Sequence, residues 1–167
     1  MMSPTYNRVC TLTYVNERLM RLMSKTEWVI IPCGGKKADE ACEAVDLYVG
    51  SFFSQVLDSA RSLVDDEHIL ILSAKHGLIT LDTVIAPYDL KMGQRGSVSV
   101  DTLIEQAFDL GIGEDDTVMT MLPKAYERQL NEAMTVVGPI PFDVFEANVG
   151  MGDMKQIAKK IHDQVAA

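Results

Sequence analysis

Trp28-Val-Ile-Ile-Pro-Cys-Gly-Gly-Lys-Lys37 is the stretch from which the fold can be read. Its apolar run, Trp28 to Ile31, is too short for a free-standing helix and rich in β-branched residues, so it reads as a buried strand. Pro32 closes the run, and two glycines and two lysines follow at once. Glycines after a strand bare backbone N–H groups to a close ligand, and lysines add positive charge where an anion can dock. The same letters also describe a tight turn followed by two solvated lysines. They match neither Gly-x-x-x-x-Gly-Lys-Ser/Thr nor Gly-x-Gly-x-x-Gly, so hydrolysis of nucleoside triphosphates is not indicated.

Working outward, Glu67 to Ser73 gives a second buried strand and Thr117 to Leu122 a third. Thr135-Val-Val137 and Phe142 to Phe145 read as a fourth strand region, broken by Gly138-Pro-Ile-Pro141. Between them lie four helical patterns: Ser51, as N-cap, to about Val64; residues 100–110, stopped by Gly111; Pro123 to about Met134; and Asp153 to about Val165. The strands are continuous apolar runs, which suit parallel strands covered on both faces. The expectation is an α/β domain: a mostly parallel sheet of about four or five strands with helices on both faces, in Rossmann-like layering. Ligands of such sheets sit beyond the C-terminal strand ends. Here those ends are Cys33–Lys37, Ser73–Gly77, Leu122–Pro123 and Glu146–Gly152.

The 167 residues suffice for one domain with a real core. Residues 1–22 read as an N-terminal extension and 23–167 as the single domain, with Met23 a natural start. At 47% apolar and 23% charged the composition is that of a globular protein. No apolar run approaches a membrane span and no signal-peptide core is visible, so no membrane association is expected. Cys10, Cys33 and Cys42 are odd in number and form no Cys-x-x-Cys pair, which fits a reducing cytoplasm rather than a disulfide framework or a zinc site. Neither a metal nor a cofactor is expected, and nothing in the sequence sets the oligomeric state. A net charge of −9 opposes general coating of nucleic acid and confines any anion site to a local patch.

Several residues carry possible chemistry. Ser73-Ala-Lys-His-Gly77 puts a hydroxyl, an ammonium and an imidazole at one strand end: His76 as acid or base, Lys75 as anion holder, or simply a hydrogen-bonded surface turn. Asp46-Leu-Tyr48 and Tyr88-Asp89 pair a carboxylate with an aromatic. A carboxylate can stabilise an electron-poor sugar carbon and an aromatic face can stack a base, although tyrosines closing a core and aspartates capping turns would look the same. Cys33 lies where lysines and a glycine turn can lower a thiol pKa, but no Cys-His-Asn pattern accompanies it. Gly150-Met-Gly152 before a helix offers free N–H groups to an anion, or marks a flexible start to that helix. Lys91 to Ser99, with Gly93 and Gly96, is the expected mobile loop.

Taken together these residues resemble a known family. Ser73-Ala-Lys-His-Gly-Leu-Ile79, Val84-Ile-Ala-Pro-Tyr88 and Lys91-Met-Gly93 look like the central signature of the YaaA (peroxide-stress protein) superfamily. Pro32-Cys-Gly-Gly-Lys-Lys37 and Asp46-Leu-Tyr-Val-Gly-Ser-Phe52 look closer to its small bacterial and phage branch, whose usual text is proline-cysteine-serine-glycine-lysine-lysine. Gly34 stands where that branch has serine, and His76 where the superfamily has tyrosine. The resemblance covers residues 28–93 and, loosely, the Gly150 region. It implies a DNA-linked protein without a metal cofactor, whose small relatives occur beside base-modification systems. The expected function is therefore an enzyme acting on a nucleoside or a DNA base, by cleavage or exchange of an N-glycosidic bond as in a DNA glycosylase. The alternative is a non-catalytic binder of DNA or of a nucleotide-like ligand. Asp46, His76 and Asp89 are the candidate catalytic residues. Cys33, Gly34, Gly35, Lys36, Lys37, Tyr48, Ser51, Ser73, Lys75, Tyr88, Gly150 and Gly152 are the candidate binding residues.

Overall fold

The computed structural model describes residues 25–145 and 150–165; the proposed 1–22 extension and the strand end at 146–149 lie outside them. Strand β1 (Glu27–Pro32) runs through the middle of a five-stranded sheet of order β4-β3-β1-β6-β7. It pairs in parallel with β3 (Ile69–Ser73), Ile31 opposite Ile71, and with β6 (Thr117–Thr120), Val29 opposite Met119. One edge is β4 (Gly77–Thr80), antiparallel to β3; the other is β7 (Phe142–Asp143), parallel to β6. A separate two-residue ribbon joins β2 (Cys42–Glu43) to β5 (Val84–Ile85).

Side chains alternate across a strand, and β1 divides the core accordingly. Val29 and Ile31 pack with Phe53, Val56 and Ala60 of α2 (Ser51–Leu63) and with Met154 and Ala158 of α5 (Met151–Val165). Trp28 and Ile30 pack on the other face with Leu103 and Ala107 of α3 (Val100–Asp109) and Leu130 and Met134 of α4 (Lys124–Val137). A fifth helix, α1 (Ala44–Leu47), is a single turn leading into Tyr48. The result is the expected layered α/β architecture. Among the described residues no helix is long and apolar enough to cross a membrane.

Four local readings change. Thr135–Val137 is the last turn of α4, not strand: Val137 is buried against the core, Thr135 Oγ1 donates to the Asn131 carbonyl, and Gly138 ends the helix at φ 121°. A helical face that buries Ala133, Met134 and Val137 outweighs the weak β preference of three residues. The fourth strand shrinks to β7. Gly77–Thr80, to which the sequence assigned no element, is β4, because a three-residue hairpin turns the chain straight back along β3. Ser51 is the first helical residue of α2 rather than its N-cap; Gly50 holds that position without a side-chain cap. The last helix begins at Met151, so Gly152 lies inside its first turn.

Candidate functional site

Chain order fixes where a ligand crevice opens. From β1 the chain passes through α2 to β3 on one side, and β6 is later added on the other side, so the order reverses between β1 and β6. Crevices at such reversals open beyond the C-terminal strand ends. Residues 33–37 leave β1 there and fold back on Tyr48: Lys37 and Tyr48 form an isolated bridge, the Ala38 N–H donates to the Leu47 carbonyl at 2.8 Å, and the Val49 N–H to that of Lys36 at 3.1 Å. A Cβ added at Gly34 would lie 3.4 Å from Tyr48 Cβ and 3.6 Å from Phe53 Cβ, ordinary packing distances, so the approach does not depend on glycine there.

At the end of β3, Ser73 is fully buried and starts a chain of hydroxyls. Its Oγ accepts the backbone N–H groups of His76 at 3.0 Å and Lys75 at 3.3 Å, which uses both lone pairs. The Ser73 hydroxyl must therefore donate, and Tyr88 Oη lies 2.8 Å away. Tyr88 Oη is also 2.8 Å from Tyr48 Oη. The two phenols hold two hydrogens and share one contact, leaving one hydrogen for an acceptor from outside. Tyr48 is buried and Tyr88 half-buried, so Tyr88 is the better placed to present it.

Two cations converge on this chain. Lys37 Nζ lies 4.2 Å from the Tyr88 ring centroid and 5.8 Å from that of Tyr48, and Lys75 Nζ lies 5.9 Å from Tyr88. Neither lysine has a salt bridge to a carboxylate among the described residues. Aromatic faces hold an ammonium without cancelling its charge. The rings of His76 and Tyr88 stand nearly perpendicular, centroids 5.5 Å apart, and the buried His76 Nε2 has no hydrogen-bond partner among the described residues. Burial, and then the charge of Lys75, lowers the His76 pKa below its ordinary 6.5, so the imidazole is neutral at pH 7. Burial pushes the Tyr48 phenol up to about 12 and that of Tyr88 further up, so both remain protonated donors.

Cys33, half-buried just past β1, completes the crevice: its Sγ is 3.4 Å from Tyr126 Oη in the first turn of α4. Burial and the neighbouring Cys33 raise the Tyr126 pKa as well. Tyr126 was not among the sequence candidates. Its signal was positional: Pro123-Lys-Ala-Tyr126 opens the helix after β6, at the strand end facing Cys33. Gln106 of α3 was missed too. Its amide donates to the His76 carbonyl at 2.7 Å and accepts the Leu78 N–H at 2.8 Å.

The structure thus brings together Cys33, Gly34, Lys37, Tyr48, Ser73, Lys75, His76 and Tyr88. The other candidates stand apart from these contacts. Gly35 and Lys36 are exposed on the same loop. Asp89 is exposed beside Tyr88 in sequence, with no salt bridge among the described residues. Asp46, on α1, is exposed, and its charge acts on Arg61 of α2. Ser51 accepts Lys155 Nζ at 3.2 Å, tying α2 to α5; Gly150 and Gly152 are exposed at the start of α5. In the expected mobile loop, Gly93 and Gly96 sit at positive φ between the buried anchors Met92 and Val98. Among the described residues no three of His, Cys, Asp and Glu gather as a metal would require.

Compared with known families, residues 29–160 match the model of a family of unknown function, DUF6884. No curated protein matches the chain.

Proposed function

The chain belongs to the DUF6884 family, and since the matched residues include the whole strand-end cluster, we propose its activity from that cluster: it binds the phosphate of a nucleotide-like ligand. The observation that carries this reading is the convergence of Lys37 and Lys75 on Tyr88, beside a spare phenolic hydrogen and, among the described residues, with no salt bridge from either lysine to a carboxylate. Such a site offers donors and positive charge to an anion and repels nothing from it. The tyrosine and histidine rings beside it offer faces and edges to a base. The resemblance to the YaaA superfamily supports the nucleic-acid side of the proposal, with the ligand free or carried in DNA.

Isothermal titration calorimetry with AMP and with adenosine tests it. AMP is expected to bind at least tenfold more tightly, with an affinity that falls as salt rises. Equal affinities for the two would remove the phosphate from the proposal.

A second reading, cleavage or exchange of an N-glycosidic bond in a nucleoside or a DNA base, is favoured by one feature. The neutral His76 imidazole, a proton acceptor at pH 7, stands beside Tyr88, and exposed Asp89 follows Tyr88 in the chain. An extruded base would enter with its 5′-phosphate on the lysines and its sugar toward Asp89. Base release from nucleosides and from duplex DNA, with Asp89→Asn and His76→Ala alongside the parent protein, decides it. No release by the parent protein leaves the binding proposal standing alone.

A further inference from the structure

We propose that Gln106 of α3, which touches none of the ligand-facing groups, is a positioning residue that sets the aim of Lys75 and His76. The inference rests on the cluster being the working site. The hairpin that carries both side chains runs from Ser73, the last residue of β3, through Ala74-Lys75-His76 to Gly77, the first residue of β4. On its inner side Ser73 Oγ fastens the Lys75 and His76 N–H groups. On its outer side the carboxamide of Gln106 takes the backbone groups that flank Gly77, the His76 carbonyl at 2.7 Å and the Leu78 N–H at 2.8 Å. One planar side chain thus brackets Gly77 from both sides. A Cβ on Gly77 would fall 2.1 Å from Gln106 Oε1, so glycine at this position, with φ 74°, admits the amide.

A second strap fixes the start of the hairpin. The Val98 N–H donates to the Ala74 carbonyl at 2.8 Å, and Gln129 of α4 donates from Nε2 to the Val98 carbonyl at 2.9 Å. Two glutamines on the helices of one face therefore hold the backbone under Lys75 and His76. An ordinary three-residue hairpin is closed by its own ladder bonds and needs no such fastening. What the added bonds fix is the direction in which the two side chains leave the backbone. That direction places the imidazole beside Tyr88 and the Lys75 ammonium toward the same ring.

The test uses Gln106→Met, which keeps length and loses both bonds, and Gln106→Glu, which keeps the acceptor for Leu78 N–H and loses the donor to His76. The readouts are the imidazole titration of His76 by NMR, the nuclear Overhauser contact between His76 and Tyr88, the unfolding midpoint, and the affinity for inorganic phosphate. In Gln106→Met the His76 titration is expected to return toward 6.5, the contact with Tyr88 to weaken, and phosphate affinity to drop about tenfold. Gln106→Glu, whose added carboxylate by itself favours the imidazolium and repels phosphate, is read by the Tyr88 contact, which should weaken in smaller degree, and that readout serves alone if Gln106→Met does not fold. An unfolding midpoint that drops while the His76 titration and the Tyr88 contact stay as in the parent protein overturns the proposal. If the parent protein binds no phosphate, the phosphate reading falls, while the titration and the contact still decide the role of Gln106.

Discussion

Gly77→Ala is expected to destabilise the protein by about 3–4 kcal/mol. Two costs combine. A non-glycine residue in the left-handed region costs about 1–2 kcal/mol, and Gly77 sits at φ 74°. The added Cβ would also lie 2.1 Å from Gln106 Oε1, so the carboxamide must leave, with two hydrogen bonds worth about 1 kcal/mol each. Gly93→Ala is the control: φ is 86° and nothing lies within 4 Å of the added Cβ, so only the backbone cost of about 1–2 kcal/mol applies. Urea denaturation of both variants gives the comparison. Equal losses would mean that the contact between Gly77 and Gln106 contributes nothing.

Lys37→Ala is expected to weaken anion binding by about 10- to 100-fold, since a hydrogen bond to a charged group is worth about 1.5–3 kcal/mol and tenfold is about 1.4 kcal/mol. Lys37 lies closer to Tyr88 than Lys75 does and is half-buried, so its charge is less screened by solvent. Lys36→Ala, on the exposed neighbour, should change affinity by less than about threefold, because a solvated charge contributes little. The pH dependence has a definite sign. In the free protein burial and Lys75 hold the His76 pKa below 6.5, and a bound anion favours the imidazolium and raises it. Binding therefore takes up a proton in the window between these two values. Affinity should rise as the pH falls through that window and level off below the free-state value. Sulfate is the suitable probe because its own charge is constant over that range. Titrations of the parent protein, Lys37→Ala, Lys36→Ala and His76→Ala by calorimetry check all three statements; a flat pH profile in the parent protein would remove His76 from the site.

How the chain folds was legible where the apolar runs are long and unbroken. Trp28–Ile31 lies within β1, Glu67–Ser73 contains β3 and Thr117–Leu122 contains β6, and the continuous apolar runs predicted helices on both faces. It failed at the sheet margins. Gly77–Thr80 is an edge strand of four residues, too short for a period to show; Phe142–Phe145 does hold an edge strand, but of only two residues, Phe142–Asp143; and Thr135–Val137 carries strand-like residues in a helix that tertiary packing holds. The site was legible through chemistry that recurs at strand ends: Lys37, Ser73, Lys75, His76 and Tyr88 all meet. Tyr126 and Gln106 were not, because an aromatic in a first helical turn and a glutamine in a helix look like any other until the topology sets them against Cys33 and Gly77. Asp46 illustrates the converse. Spacing alone put a carboxylate two residues before Tyr48, but α1 is a single helical turn, and the carboxylate is exposed while Tyr48 is buried.

The most direct test of the central claim, that the strand ends of β1 and β3 form one anion site, is an NMR titration of the isotope-labelled protein with inorganic phosphate. The Lys37, Lys75 and His76 backbone amides and the His76 ring should shift together, saturably, along curves that fit one dissociation constant. Saturable shifts confined to another surface, such as the exposed lysines of α5, or no saturable shift at these residues, would contradict it.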